Sequence, residues 1–406
     1  MKKNNNKLTN ILLVISLIVL VFGSGYKLGE NKNRLNLLQP ADVNRSSGGQ
    51  TNINFDLFWE AWNKLQERYV DQQKIDPKKM YYGAIKGMVA SVDDPYTFFL
   101  TPEENKQTKD DMGGKFEGIG AQLGLKDERI VVIAPLKKSP AESAGVKPGD
   151  FINKVDGVST KDWTLSQAVS KIRGPKNTKV KLTLGRVDKE IEVTIVRQQI
   201  IVASVELSLK NNIAILKVNQ FGDNTNDEWN KAVDEIKSKW SGKQIKGLIL
   251  DLRDNPGGYL ESSVYLASEF LPLGKLIVKQ EAILYGDKEY RVSRIGKLQD
   301  IPLVILINNG SASASEILPG ALRDHKRGQL VGETSFGKGS VQEALDLKEG
   351  AGLHVTVAKW ILPNGDWINS KGIEPDIRII NEIKEGNTIT QDTDKQLEKA
   401  MEILLK

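Results

Sequence analysis

The stretch IPLVILINNGSASASEILPGALRD, residues 301–324, decides the fold. Leu303 to Ile307 is an uninterrupted apolar run of strand length, Asn308 to Gly310 is turn chemistry, and Ala314 to Leu322 carries a helical pattern. A buried strand that turns directly into a helix is the repeating unit of an α/β domain. The preceding segments repeat it: NIAILKVN, NDEWNKAVDEIKSKW, IKGLILDLR, LESSVYLASEFL and then IPLVILIN alternate apolar strands with amphipathic helices. That order predicts an α/β fold with a mostly parallel sheet over residues 201–380.

Working outward, residues 116–200 change character. GIGAQLGL, RIVVIAPL, DFINKVDG and KVKLTLGR read as short strands around one helix, TLSQAVSKIRG, and predict a β-rich inserted domain. Residues 55–115 begin with FDLFWEAWNKLQERYV, whose Phe55, Phe58, Trp59, Trp62, Leu65 and Tyr69 recur every three or four positions; they predict a helical unit with the aromatic face as its core. Residues 381–406 form a tail ending in the helix 394–405. At the amino terminus Lys2, Lys3 and Lys7 precede LTNILLVISLIVLVFGSGY, residues 8–26, which is long enough to span a bilayer as a helix. The basic flank keeps residues 1–7 cytoplasmic and exports the rest behind a single-pass signal-anchor, with 27–54 as a polar tether. A cleaved signal peptide is the alternative, since Ile11 to Phe22 has h-region length and Gly23, Ser24 and Gly25 are small.

Composition bounds the rest. The 406 residues are 39% hydrophobic and 27% charged, an ordinary globular balance for two or three domains. The 57 basic and 52 acidic residues leave too small an excess to point to nucleic acid. With no cysteine there is no disulfide, thiol nucleophile or cysteine metal site.

The chemistry gathers after the apolar run. Ser311, Ser313 and Ser315 alternate at a helix amino terminus, where free N–H groups and the positive dipole end suit an oxyanion. Ser313 with Glu316 also makes a capping box, a purely structural role. A serine nucleophile needs a base, and only His325 and His354 exist, the first in the charged turn RDHKRG and the second in strand-like GLHVTVAKW. Lys338, in TSFGKGSVQ, can serve if burial leaves its amine neutral, and its flanking glycines permit close backbone approach. Ser335 and Lys338 also fit S-x-x-K, but Gly337 and Gly339 disfavour the shared helix that spacing requires, and S-D-N and K-T-G are absent.

NGSASASE, ALRDHKRGQLVGE and SFGKGSVQ, with DDPYTFFLTPEE, GGKFEGIGAQLGL, SPAESAGVKPGDFINKVDG and LILDLRDNPGG ahead and KGIEPDI behind, resemble the carboxyl-terminal processing proteases. These are serine peptidases with a Ser-Lys pair and an inserted PDZ domain. The resemblance implies that residues 116–200 are the PDZ domain and 201–380 the protease core. It implies Ser313 as nucleophile, Lys338 as general base and Gln342 as the residue orienting the amine. Oxyanion donors map to the backbone N–H of Ala314 and of Gly257 or Gly258, and Asp324 to a structural acid. The loop Gly118-Ile119-Gly120-Ala121 resembles the PDZ carboxylate-binding loop, with helix 165–174 as the groove's other wall. Arg173 is either a surface charge or a link from that groove to the active site.

The expected activity is hydrolysis near exposed carboxyl termini of protein or peptide substrates, without metal or other cofactor. Residues 55–104 and the tail helix are expected to join two or more copies of the chain. The alternative class is a PDZ adaptor with an inactive protease-like domain. Pro319 departs from the family pattern and predicts a kink in the serine's helix.

Overall fold

The computed structural model describes residues 53–126, 128–136, 138–186, 189–283, 286–381 and 393–406. The proposed anchor 8–26, and the tether up to residue 52, lie outside the described residues. Among the described residues no helix is long and apolar enough to cross a membrane. The chain divides after Met80 into two units.

The first unit contains the helix Asp56–Arg68. No residue of it is buried, which corrects the reading of its aromatic face as core. Phe58 packs instead on Trp59 and Trp62, at ring-centroid distances of 5.0 and 6.0 Å, while Trp59 stays 55% exposed. The described part of this unit is too small to cover a helix on two sides.

The second unit holds the six-stranded sheet that the alternation predicts. Its order is Val205–Lys210, Ile213–Val218, Gly247–Asp251, Leu303–Ile307, Gln329–Gly332 and Ile377–Arg378. The first pair is antiparallel and the other pairs are parallel. Strand periodicity sorts side chains between two cores. Ala214, Leu216, Val218, Leu303, Ile305 and Ile307 enter the larger core, under the helices Thr225–Ser241 and Ala314–Asp324. Ile213, Ile215, Val304 and Leu306 enter the other, closed by Leu397, Ala400 and Met401 of the tail helix Lys395–Leu405. The tail helix's apolar face is therefore covered by its own chain and is not available to join copies.

A five-stranded antiparallel sheet was not foreseen. Ser340–Asp346 and Gly352–Ile361 form its central hairpin, flanked by Phe98–Leu100, Leu276–Glu281 and Lys288–Arg291. It carries the segment after Lys338 alongside the turn at residues 93–97. The β-rich insertion leaves through Lys115–Gly118 and returns through Gln198–Ile201, paired antiparallel. Between them stands a sheet ordered Ala121–Lys126, Arg129–Pro135, Phe151–Val155, Lys179–Arg186 and Lys189–Val196 around its own core.

Candidate active site

The three alternating serines separate by environment. Ser311 and Ser315 are fully buried, and their hydroxyls donate to the Leu252 and Asn255 carbonyls at 2.9 and 2.6 Å. They bind the serine segment to the DLRDNPGG loop. Ser313 is half-buried, and its hydroxyl donates to neither carbonyl. Its backbone sits at φ 57°, ψ −119°, a conformation that costs a non-glycine residue about 1–3 kcal/mol and persists only where neighbours enforce it. The helix that follows runs from Ala314 to Asp324 through Pro319 without interruption.

Glu316 supplies much of that enforcement. The glutamate half of the capping box forms, and the glutamate does more than cap. Its Oε2 accepts the Ser313 N–H at 2.8 Å and the Lys338 N–H at 2.9 Å, and its Oε1 accepts the Gly337 N–H at 2.7 Å and the Ser335 hydroxyl at 2.6 Å. A shared acceptor keeps the Ser313 and Lys338 backbone nitrogens within about 6 Å of each other. The carboxylate is fully buried. Burial pushes it above its ordinary value, against the pull of these four donors. Sequence reasoning saw only the cap; the available signal was an acidic residue in a helix otherwise apolar on its buried side.

The glycines beside Lys338 behave as expected. A Cβ on Gly339 would meet the Asn369 N and Trp367 Nε1 at 2.7 Å, and one on Gly337, at φ +91°, would lie 2.8 Å from the Gly372 N. The lysine amine lies 5.1 Å from the centroid of the Tyr96 ring. Burial lowers its pKa below the ordinary lysine value, opposed by Asp94 and Glu316. The Gln342 Nε2 does not hold the amine: it donates to Ser340 Oγ at 2.8 Å and Thr356 Oγ1 at 3.2 Å.

Gly257 and Gly258 part company. Gly257 N–H donates to Asn255 Oδ1 at 2.8 Å, so it is committed within the loop. A Cβ on Gly257 would lie 2.8 Å from Ser313 Cβ, so the glycine itself lets the loop meet the serine. The N–H groups of Gly258 and Ala314 take no acceptor within the described chain. Asn255, which sequence reasoning passed over, anchors the loop by donating to the Val218 carbonyl at 2.8 Å.

The two histidines make other contacts. His325 caps the far end of the serine's own 11-residue helix, about 16 Å along its axis, with Nε2 2.7 Å from the Leu276 carbonyl. His354 stacks on Phe98 with centroids 4.7 Å apart. Asp324 accepts from Arg323 and from the Asn364 N–H, a structural role. Ser335 also accepts the Ile373 N–H, which binds it as structure.

In the inserted domain, the carbonyls of Ile119 and Gly120 turn inward to Ala141 and Leu136 N–H groups at 2.8 and 2.9 Å. The Ile119 and Gly120 N–H groups take no acceptor within the described chain, and Ala121 opens an edge strand beside the helix Leu165–Ile172. Gly120 has φ +72°, and a Cβ there would lie 2.6 Å from Ser139 Cβ. Arg173 pairs with both oxygens of Asp111 at 2.8 and 2.9 Å and covers the Phe116 ring, rather than reaching Ser313 or Lys338. Among the described residues no cluster of His, Asp and Glu could hold a metal ion.

Residues 212–379 match Peptidase family S41, residues 105–185 the PDZ domain, and residues 20–104 the activating protease CtpB N-terminal domain. The carboxy-terminal processing protease CtpA of Bacillus subtilis is 39% identical over 344 residues, 83% of this chain and 71% of the relative. CtpB of the same organism is 36% identical, with 91% of this chain and 77% of the relative covered. A solved photosystem II D1 C-terminal processing protease is 30% identical with a TM-score of 0.52, covering 80% of this chain and 92% of that one. The chain belongs to the carboxy-terminal processing proteases of peptidase family S41, serine peptidases that carry a PDZ domain.

Proposed function

We propose that Ser313 is the nucleophile and Lys338 the general base of an endopeptidase that acts near protein carboxyl termini. The observation that supports this is the single Glu316 oxygen accepting the N–H groups of both residues, which keeps their backbone nitrogens within about 6 Å at a helix amino terminus. The neutral amine takes the Ser313 proton as the hydroxyl attacks a peptide carbonyl. The oxyanion forms against the N–H groups of Ala314 and Gly258; as it collapses the C–N bond breaks and the leaving amine takes the proton from Lys338, and water then hydrolyses the acyl-enzyme. The edge strand at Ala121 and the Ile119 and Gly120 N–H groups receive a substrate carboxyl terminus. Gln342 orients the amine through its Oε1, the amide atom that can accept from it, while Nε2 holds Ser340 and Thr356.

The run 8–26 serves as a single-pass anchor holding the catalytic part outside the cytoplasm; extraction of the chain from membranes by alkaline carbonate would refute this. Copies associate through residues 55–104, whose aromatic face is exposed; a monomer mass in light scattering at micromolar concentration would remove the idea.

The deciding experiment compares casein cleavage by the wild type with Ser313→Ala and Lys338→Ala. Both variants are expected to fold and to cut nothing. Full activity in Lys338→Ala would overturn the assignment of the base.

A further inference from the structure

The turn DDPYT, residues 93–97, has no part in the peptidase chemistry above, but it lies directly against the lysine. The Tyr96 ring faces the Lys338 amine. Asp94 is fixed beside it: its carboxylate accepts the Thr97 hydroxyl at 2.6 Å, the Tyr96 N–H at 3.1 Å and the Thr356 hydroxyl. Thr97 Oγ1 in turn accepts the Thr356 N–H at 3.0 Å, so the turn is bonded to the strand Gly352–Ile361. Thr356 also receives Gln342, the residue expected to orient the amine.

We propose that Asp94 and Tyr96 form a holding site for Lys338, keeping its amine as an ammonium ion on the tyrosine face and off Ser313. They are positioning residues: the Tyr96 ring faces the base, Asp94 acts on its charge, and together they set how much of it is neutral. The inference rests on Lys338 being the base.

The physical argument is a balance between the two forms of one amine. Burial favours the neutral form, a negative carboxylate favours the cation, and an aromatic face also favours the cation. Two other elements contribute groups whose charge acts on this amine. Glu316, on the serine's helix, adds a second negative charge. His354, on the strand Gly352–Ile361, is kept below its ordinary value by burial and by the lysine's charge, and so adds no positive charge at neutral pH. The Tyr96 hydroxyl is raised by burial and by Glu316 and Asp94, and stays neutral. Asp94 is pushed up by burial, but the Thr356, Thr97 and Tyr96 hydrogen bonds and the lysine's charge outweigh this, so it is ionised wherever the enzyme works. Removing Asp94 or the Tyr96 ring takes away cation stabilisation and leaves burial unopposed by it. The base should then become neutral at lower pH.

The test is kcat/KM for a fluorophore-quenched casein from pH 5.5 to 10 with the full chain: wild type, Asp94→Asn, Tyr96→Leu, Tyr96→Phe and Lys338→Ala. The midpoint of the rising limb is expected about one unit lower in Asp94→Asn, the lower end of what a nearby opposite charge contributes. At pH 7 its activity, relative to its own plateau, then rises roughly tenfold. Tyr96→Leu should move the midpoint the same way and Tyr96→Phe should restore it. A turn that merely anchors the chain would lower activity equally at every pH. Midpoints unmoved or raised in Asp94→Asn and Tyr96→Leu, with Lys338→Ala inactive, overturn the holding site and leave the peptidase assignment standing. Activity in Lys338→Ala overturns both. If Asp94→Asn fails to fold, Tyr96→Leu against Tyr96→Phe decides alone.

Discussion

Replacing Glu316 by glutamine keeps the shape of the side chain and removes one acceptor oxygen, and it tests whether this carboxylate assembles the site. The carboxylate accepts four donors, two on each oxygen. An amide offers one oxygen and one NH2. If the oxygen stays with Ser313 and Lys338, the NH2 faces the Gly337 N–H, which loses its acceptor. Ser335 can only turn its hydroxyl to accept, and that oxygen already receives Ile373. One contact is lost and three fall from charged to neutral strength, about 4–7 kcal/mol on usual values for the two kinds of bond. Relief of the buried charge returns part of this, leaving a net destabilisation of at least about 2 kcal/mol. Turnover should suffer as well, because the strained Ser313 backbone and the Lys338 segment lose their common anchor; at least about a hundredfold in kcat is expected, equivalent to about 2.7 kcal/mol. Urea unfolding followed by tryptophan fluorescence, with casein hydrolysis measured well below the transition, reads both effects. An unchanged unfolding midpoint together with more than half of wild-type turnover would refute the role given to Glu316.

Two further outcomes follow from close packing. Gly257→Ala places a Cβ 2.6 Å from the Ala312 carbonyl oxygen at φ +101°, so turnover should fall more than a hundredfold while binding of a carboxyl-terminal peptide to the PDZ domain is unchanged; turnover within threefold of wild type would contradict the close contact. Leu397→Ala, at a position 4% exposed between tail helix and sheet, should cost about 2–5 kcal/mol in chemical denaturation. A loss below about 0.5 kcal/mol, the size typical of surface changes, would mean the helix is not docked.

Elements with a strong period were legible from local sequence. Ile213–Val218 and Leu303–Ile307 are too apolar to be anything but strands buried on both faces, and they are. The glycine-flanked Lys338 was legible because only glycine fits where backbone meets backbone, as at Gly339 against Asn369. The antiparallel hairpin Ser340–Asp346 with Gly352–Ile361 was not, because SVQEALD is half polar and its pairing partners lie up to 260 positions away. The aromatic face of Asp56–Arg68 misled for the opposite reason: helical period reports that one face is apolar, not that anything covers it.

The sequence by itself determined the α/β class, the inserted β-rich domain, the absence of thiol chemistry, and the short set of serine, lysine and histidine residues from which a site could be built, because periodicity and composition are local properties. Only the tertiary structure decided among them. Alternation put Ser311, Ser313 and Ser315 on equal terms, and it took the Leu252 and Asn255 carbonyls, some sixty positions earlier, to engage two hydroxyls and leave the third. Gly257 and Gly258 were likewise equivalent until Asn255 took one N–H. The lysine's surroundings come from Asp94, Tyr96 and Glu316, on two segments far apart in the chain, and a charge acts through distance in space, which no local pattern records.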